Sequence, residues 1–211
     1  MVPPTVICLG EALVDRLGPL GGDPAFDQPV DDRLGGAPAN VACGLARLGT
    51  PVVFVGRVGD DFIGKQFSAL FRQRGVDNSG LQRDPDRPSR IVLVRRSQDG
   101  ERQFQGFAGD QGQGFADQAL APVNLPKGAR WLLVGTIPLA TATSASTLKA
   151  ALDQARQLQM SIALDVNWRP TFWDPAADPA AGPSSDAIAA IRPLLEQAAL
   201  IKLAREEAFW F

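Results

Sequence analysis

Apolar and polar positions follow two rhythms along the chain. Short, almost wholly apolar runs predict buried strands: "TVICLG" (Thr5–Gly10), "PVVFVG" (Pro51–Gly56), "ARWLLVG" (Ala129–Gly135), "SIALDVN" (Ser161–Asn167) and "ALIKLA" (Ala199–Ala204). Between them lie "PANVACGLARLG", "DDFIGKQFSALFRQRG", "SASTLKAALDQARQLQ" and "SDAIAAIRPLLEQA", which carry helical spacing. Gly49 after Leu48 and Gly75 after Arg74 read as helix stops. Apolar strands joined by crossover helices predict a parallel sheet covered on both faces. Two segments break the rhythm. Leu17–Leu34 is rich in Gly, Pro and Asp, and Ser89–Phe107 reads as a β-hairpin around Asp99–Gly100. Together they predict a small second sheet beside the main one. Pro175–Pro183 ("PAADPAAGP") is a surface loop.

Composition narrows the chemistry. The chain has 211 residues, 45% hydrophobic and 21% charged, which suits one large domain or a domain with a small appendage. A net charge of -2 argues against a broad electrostatic grip on nucleic acid. Histidine is absent, so Ser-His-Asp and Cys-His nucleophile systems and His-ligated zinc are excluded. Tyrosine is absent too, leaving carboxylates, lysines and cysteines as proton acceptors. Cys8 and Cys43 lie in apolar runs and read as free buried thiols. No stretch approaches the roughly 18 uncharged apolar residues of a membrane span. The N-terminus has no basic leader, so the expectation is a cytoplasmic protein without membrane contact.

Candidate site residues cluster after the predicted strands, where ligands bind in open parallel sheets. Glu11 and Asp15 follow the first strand in "GEALVD". Asp15 fits two readings, an acceptor for sugar hydroxyls and a solvated turn carboxylate. In "LGGAPANVACGLARLG" (Leu34–Gly49), Gly35 and Gly36 let a ligand approach the main chain, Pro38 suits a first helical turn, and Asn40 offers donor and acceptor together. "GDDFIGKQ" (Gly59–Gln66) has the spacing of a phosphate-binding P-loop. Gln66 stands where Ser or Thr is needed, and Asp60 and Asp61 suit helix caps better. No G-x-G-x-x-G occurs, so a nicotinamide oxidoreductase on a similar sheet has no fingerprint. "DVNWRP" ends a strand with Asp165, Asn167 and Arg169, a guanidinium fork for phosphate or carboxylate or, alternatively, part of a structural ion-pair network. "LIKLAREEAF" places Lys202, Glu206 and Glu207 after another strand, as magnesium-water ligands or as acids of a helix start.

"GEALVD", "GGAPANVACGLARLG", "DGERQF" and "DVNWRPTFW" resemble the ribokinase-like, PfkB-type carbohydrate kinases, fructokinases most of all, with 2-keto-3-deoxygluconate kinases as near relatives. The resemblance covers the whole chain. It implies a doubly wound, mainly parallel sheet with helices on both faces and a small β-sheet lid, from about 16–34 and 90–107. It implies ATP-dependent, magnesium-assisted phosphorylation of a sugar hydroxyl, most of all on fructose, and pairing of two copies through the lids. Asp15, Gly35, Gly36, Asn40 and Arg169 are then substrate-binding. Asn167 and Lys202 belong to the phosphate and ATP side, and Glu207 is the acid of an N-x-x-E element that organises magnesium, with Ala204 in place of Asn. The family's D-T-x-G-A-G-D motif, which holds the general base and anion hole, occurs nowhere in the chain. The expectation is therefore the N-terminal two-thirds of a kinase, inactive alone. Its alternative is a sugar-binding or lid-pairing protein without the chemistry.

Overall fold

A computed structural model describes residues 5–211; the leader reading at residues 1–4 lies outside them. Six strands form the main sheet, in the order β10 (Leu200–Lys202), β9 (Ser161–Asp165), β8 (Trp131–Gly135), β1 (Val6–Leu9), β4 (Val52–Gly59) and β5 (Asp77–Asp84). Every pairing is parallel. The chain begins in the middle, winds outward through β4 and β5, then crosses to the far side of β1 at β8. The winding direction thus reverses between β1 and β8, and the crevice at their carboxyl ends is the predicted ligand position.

Alternate residues of each strand bury on opposite faces. Ile7, Leu9, Val53, Val55, Leu132 and Val134 pack beneath α3 (Ala142–Gln157) and α5 (Ser185–Gln197) through Leu148, Leu152 and Ile191. Val6, Cys8, Val52 and Phe54 face α1 (Ala37–Arg47) and α2 (Phe62–Arg74) through Ala42, Phe67 and Phe71. The Phe54 and Phe71 rings lie 4.7 Å apart, and truncating either leaves a cavity costing about 3–5 kcal/mol. Cys8 is wholly buried, which pushes its thiol up to about 12; both cysteines are free. They are packing residues here.

The two irregular segments form a second sheet, in the order β3 (Asp31–Gly35), β2 (Leu13–Leu20), β6 (Ile91–Arg96) and β7 (Arg102–Ala108). Gly100, at φ +84°, turns the β6–β7 hairpin where Asp99–Gly100 predicts it. An apolar seam of Leu13, Val92, Ile137 and Phe172 joins this sheet to the main body. Beside the seam, Arg90 is clamped. Its Nε and Nη2 donate to Asp117 at 2.8 and 2.9 Å, and its guanidinium lies 4.3–4.7 Å from the centroids of Phe115, Phe172 and Phe107. An ion pair buried this deeply contributes mainly by leaving no charge unpaired.

Four local outcomes differ from the sequence expectation. β5, "DNSGLQRD", carries one large apolar residue and a register shift against β4, so no periodicity announces it. β4 runs on past Gly56 to Gly59. Pro170–Trp173 forms one helical turn, α4, after β9. The helix expected after β10 is a single 3-10 turn, Glu207–Phe209. The false P-loop resolves as a cap: Asp61 Oδ1 accepts from the Gly64 N–H at 2.8 Å, and its Oδ2 from the Ser89 N–H at 2.7 Å. β10 is an edge strand with Leu200 and Ile201 exposed. Among the described residues, no helix is long and apolar enough to cross a membrane.

Candidate active site

The glycine pair at the start of α1 has a backbone cause. Gly36 sits at φ +100°, a region that side chains disfavour, and a Cβ there would lie 2.5 Å from the carbonyl oxygen of Glu11. A Cβ at Gly35 would meet Asp15 Oδ2 at 3.1 Å. The sequence suggests glycines that clear space for a ligand. The close neighbours the structure shows are instead the β1–β2 junction and the Asp15 carboxylate. Gly36 also offers no side chain to cap α1, and Glu11 fills that role from 26 positions away: its Oε1 accepts the Ala37 N–H at 3.0 Å.

Between the two sheets, at the β1/β8 reversal, lies a cavity of about 390 Å³. This is within the range of small-molecule sites. β2 sends Leu13, Asp15 and Leu17 into it, the period-two alternation of one strand face. β6 adds Val92 and Val94, which pair in register with Asp15 and Leu17. Gly36, Ala37 and Asn40 come from the start of α1, and Asn167 and Arg169 from the turn after β9. Five of the expected residues therefore meet in one space: Asp15, Gly36, Asn40, Asn167 and Arg169. Gly35 stands behind Asp15 rather than on the wall. Lys202 lies apart, exposed, with Nζ 3.0 Å from Asp165 Oδ1. That ion pair lacks hydrogen-bond alignment, since Asp165 Oδ1 is otherwise buried without a partner.

The electrostatics divide the cavity. Burial raises the Asp15 carboxyl above its usual range, while the charges of Arg102 and Arg169 pull it back down. Asp15 is thus an acceptor in reach of two cations, suited to a hydroxyl donor beside an anionic group. Asn167 holds φ +42°, an uncommon conformation for a residue with a side chain. The turn around it is pinned by Glu207, which is buried: its Oε1 accepts the Trp168 N–H, and its Oε2 accepts the Ala204 N–H at 2.6 Å. Glu207 therefore holds the Asn167–Arg169 loop. Among the described residues no three acidic or thiol side chains gather as a metal cage, and both Glu207 oxygens are already engaged. The donor set does not fit a directly held magnesium ion.

Arg102, Gln103, Phe104, Ile137 and Phe172 also line the cavity, and no local pattern in the sequence marks them as site residues. Their signal is weak: they are ordinary strand and turn residues until the small sheet folds over the main one. Glu11 was visible by position, but its burial was not.

A family model described as the pfkB family of carbohydrate kinases matches residues 4–211. The chain belongs to that family. A relative from Arabidopsis thaliana, named "Probable fructokinase-6, chloroplastic", is 31% identical over 205 residues, covering 97% of this chain and 51% of its own length. The fold agrees with that of a Vibrio cholerae fructokinase in apo form, with TM-score 0.79 and 30% identity over 98% of this chain and 65% of that one. A second structure of Vibrio cholerae fructokinase, bound to fructose, ADP and calcium, gives TM-score 0.77 and 29% identity, covering 97% and 61%. The chain spans about half the length of the plant relative. The six-stranded parallel sheet and small second sheet are thus the ribokinase-like architecture the sequence pointed to.

Proposed function

We propose that this chain carries the sugar half of an ATP-dependent carbohydrate kinase, with fructose as the acceptor. One observation carries the reading: a single cavity at the strand-order reversal gathers Asp15, Asn40, the Gly36 turn and Arg169. Asp15 accepts hydroxyl hydrogens, Asn40 donates and accepts, and Arg102 and Arg169 offer positive charge to the phosphoryl group that reaches the neutral ketose. The fructose- and ADP-bound relative supports the ketose and the nucleotide. A 2-keto-3-deoxygluconate acceptor fits the same two arginines and is the neighbouring alternative.

In the proposed transfer a sugar hydroxyl oxygen bonds to the ATP γ-phosphorus, the bond from that phosphorus to the β–γ bridging oxygen breaks, ADP leaves with that oxygen, and the hydroxyl proton is released to solvent. ATP supplies the phosphoryl group. This chain's residues bind and orient the acceptor, with Asn167 and Lys202 on the phosphate side. The chain carries no D-T-x-G-A-G-D motif, so none of its residues is assigned as the base. The formed cavity by itself supports one second reading: sugar binding without transfer. Exposed Leu20, Phe26 and Val30 at the rim of the small sheet support pairing of two copies there, and the reading places the protein in the cytoplasm.

Titrating D-fructose into the purified chain by calorimetry, with and without ATP, tests both readings. Heat with fructose that Asp15→Ala abolishes is expected. Heat from fructose without any ADP formation favours the binding reading. No heat from fructose or 2-keto-3-deoxygluconate overturns the sugar site.

A further inference from the structure

Glu11 is a buried acid in this cavity that the sugar reading does not use. It is 2% exposed, and its two carboxylate oxygens are treated unequally. Oε1 accepts the Ala37 N–H at 3.0 Å, whereas Oε2 is buried with no partner among the described residues. An unpartnered carboxylate oxygen in the interior is costly, and natural structures keep few of them. Among the described residues no cation offsets it. Arg102 and Arg169 act on Asp15, whereas the outside charges acting on Glu11 are those of Asp117 and Asp165, both negative. An ion pair is therefore not its function.

Glu11 lines the same cavity as Asp15, Asn40 and Asn167. Gly135, at the end of β8, presents no side chain toward it: a Cβ there would lie 3.9 Å from Oε2. Glu11 thus stands in the β1/β8 crevice with one acceptor engaged and one free.

We propose that Glu11 is a substrate-binding and positioning residue: Oε1 sets the Gly36–Ala37 turn that carries Asn40, and Oε2 accepts a hydroxyl of the bound sugar. This rests on the sugar-site reading and adds a second carboxylate to it. The same atom explains why the site tolerates a buried orphan. Its missing partner is the ligand, so the cost borne by the free protein is relieved on binding.

The test is Glu11→Gln, which keeps an amide oxygen for the Ala37 N–H but puts an NH₂ donor where Oε2 was. Calorimetry with D-fructose and its single-deoxy analogues is run at about pH 8, where the Glu11 carboxyl is ionised, on the unmodified chain and on the variant. The expected result is fructose binding weakened about tenfold or more in the variant, the size of one charge-assisted hydrogen bond. One deoxy analogue should show the same loss on the unmodified chain and no further loss on the variant. Fructose affinity unchanged by Glu11→Gln overturns the assignment while leaving the sugar site standing. No sugar binding by the unmodified chain overturns both. Should the variant not fold, the ¹³C resonance of the Glu11 carboxyl in the unmodified chain decides: a shift on fructose addition is expected, and its absence overturns the assignment.

Discussion

Glu11 also makes a prediction about stability that needs no ligand. Burial, reinforced by the charges of Asp117 and Asp165, raises its carboxyl to about 7 against an ordinary 4.5; hydrogen bonds from its own N–H and that of Ala37 only partly oppose this. Below about pH 4.5 the carboxyl is protonated in both folded and unfolded chains and contributes no pH dependence. Between the two values the unfolded chain releases the proton while the folded chain retains it, so stability falls as pH rises. Above about 7 the whole penalty is present. The difference between about 7 and 4.5 corresponds to about 3 kcal/mol at 1.36 kcal/mol per unit. Glu11→Gln cannot ionise, and its buried amide costs about the same at every pH. The clean quantity is therefore the difference of differences: the stability lost by the unmodified chain between about pH 5 and pH 8, minus that lost by the variant, should be about 2 kcal/mol, the rest of the penalty falling below pH 5 where the unfolded carboxyl already ionises. Urea denaturation at the two pH values measures it. Asp15 and the other acids titrate in both proteins and cancel. Parallel pH profiles for the two proteins would refute the placement of Glu11 as a buried carboxyl.

Three further outcomes follow from the same geometry. Gly36→Ala places a methyl against the Glu11 carbonyl at a positive φ, so stability should fall by about 1–3 kcal/mol in thermal melts, with fructose heat reduced in parallel. Arg90→Ala strands the Asp117 carboxylate between the sheets and should cost about 3–5 kcal/mol by chemical denaturation. Arg90→Lys should recover little of it, because a point charge can reproduce neither the two-pronged bond nor the stacking on three rings. Glu207→Ala frees the Trp168 and Ala204 amides, so hydrogen exchange at both should accelerate about tenfold or more while the amides of β1 stay protected; equal protection would show that Glu207 does not hold the loop.

The parts of this fold that were legible in the chain are those where one local cause suffices. The apolar runs of β1, β4, β8 and β9 name themselves because both faces of a parallel sheet are buried, and Gly100 marks its hairpin because the turn demands a positive φ. β5 was silent for the opposite reason. An edge strand with one covered neighbour needs few apolar residues, and "DNSGLQRD" has hardly any. The site divides along the same line. Asp15, Asn40 and Arg169 lie at strand ends or a helix start, positions that a pattern reading can find. Arg102 and Phe104 enter the cavity only because the β6–β7 hairpin folds across the main sheet, a contact between segments far apart in sequence.

The glycines of "LGGAPANV" show how a correct location can carry an incomplete cause. Their flexibility suggests room for a ligand, yet a Cβ at Gly36 would strike the Glu11 carbonyl first. The glycine turn and Glu11 are consequently one device: the turn needs a glycine to fit against Glu11, and the helix that follows needs the Glu11 carboxylate because glycine cannot cap it. An acid placed to serve backbone alone would be expected to satisfy both oxygens, as Glu207 does with two amides. Glu11 satisfies one. That asymmetry between two buried glutamates in the same fold separates a carboxylate that only holds a loop from one that also waits for a ligand.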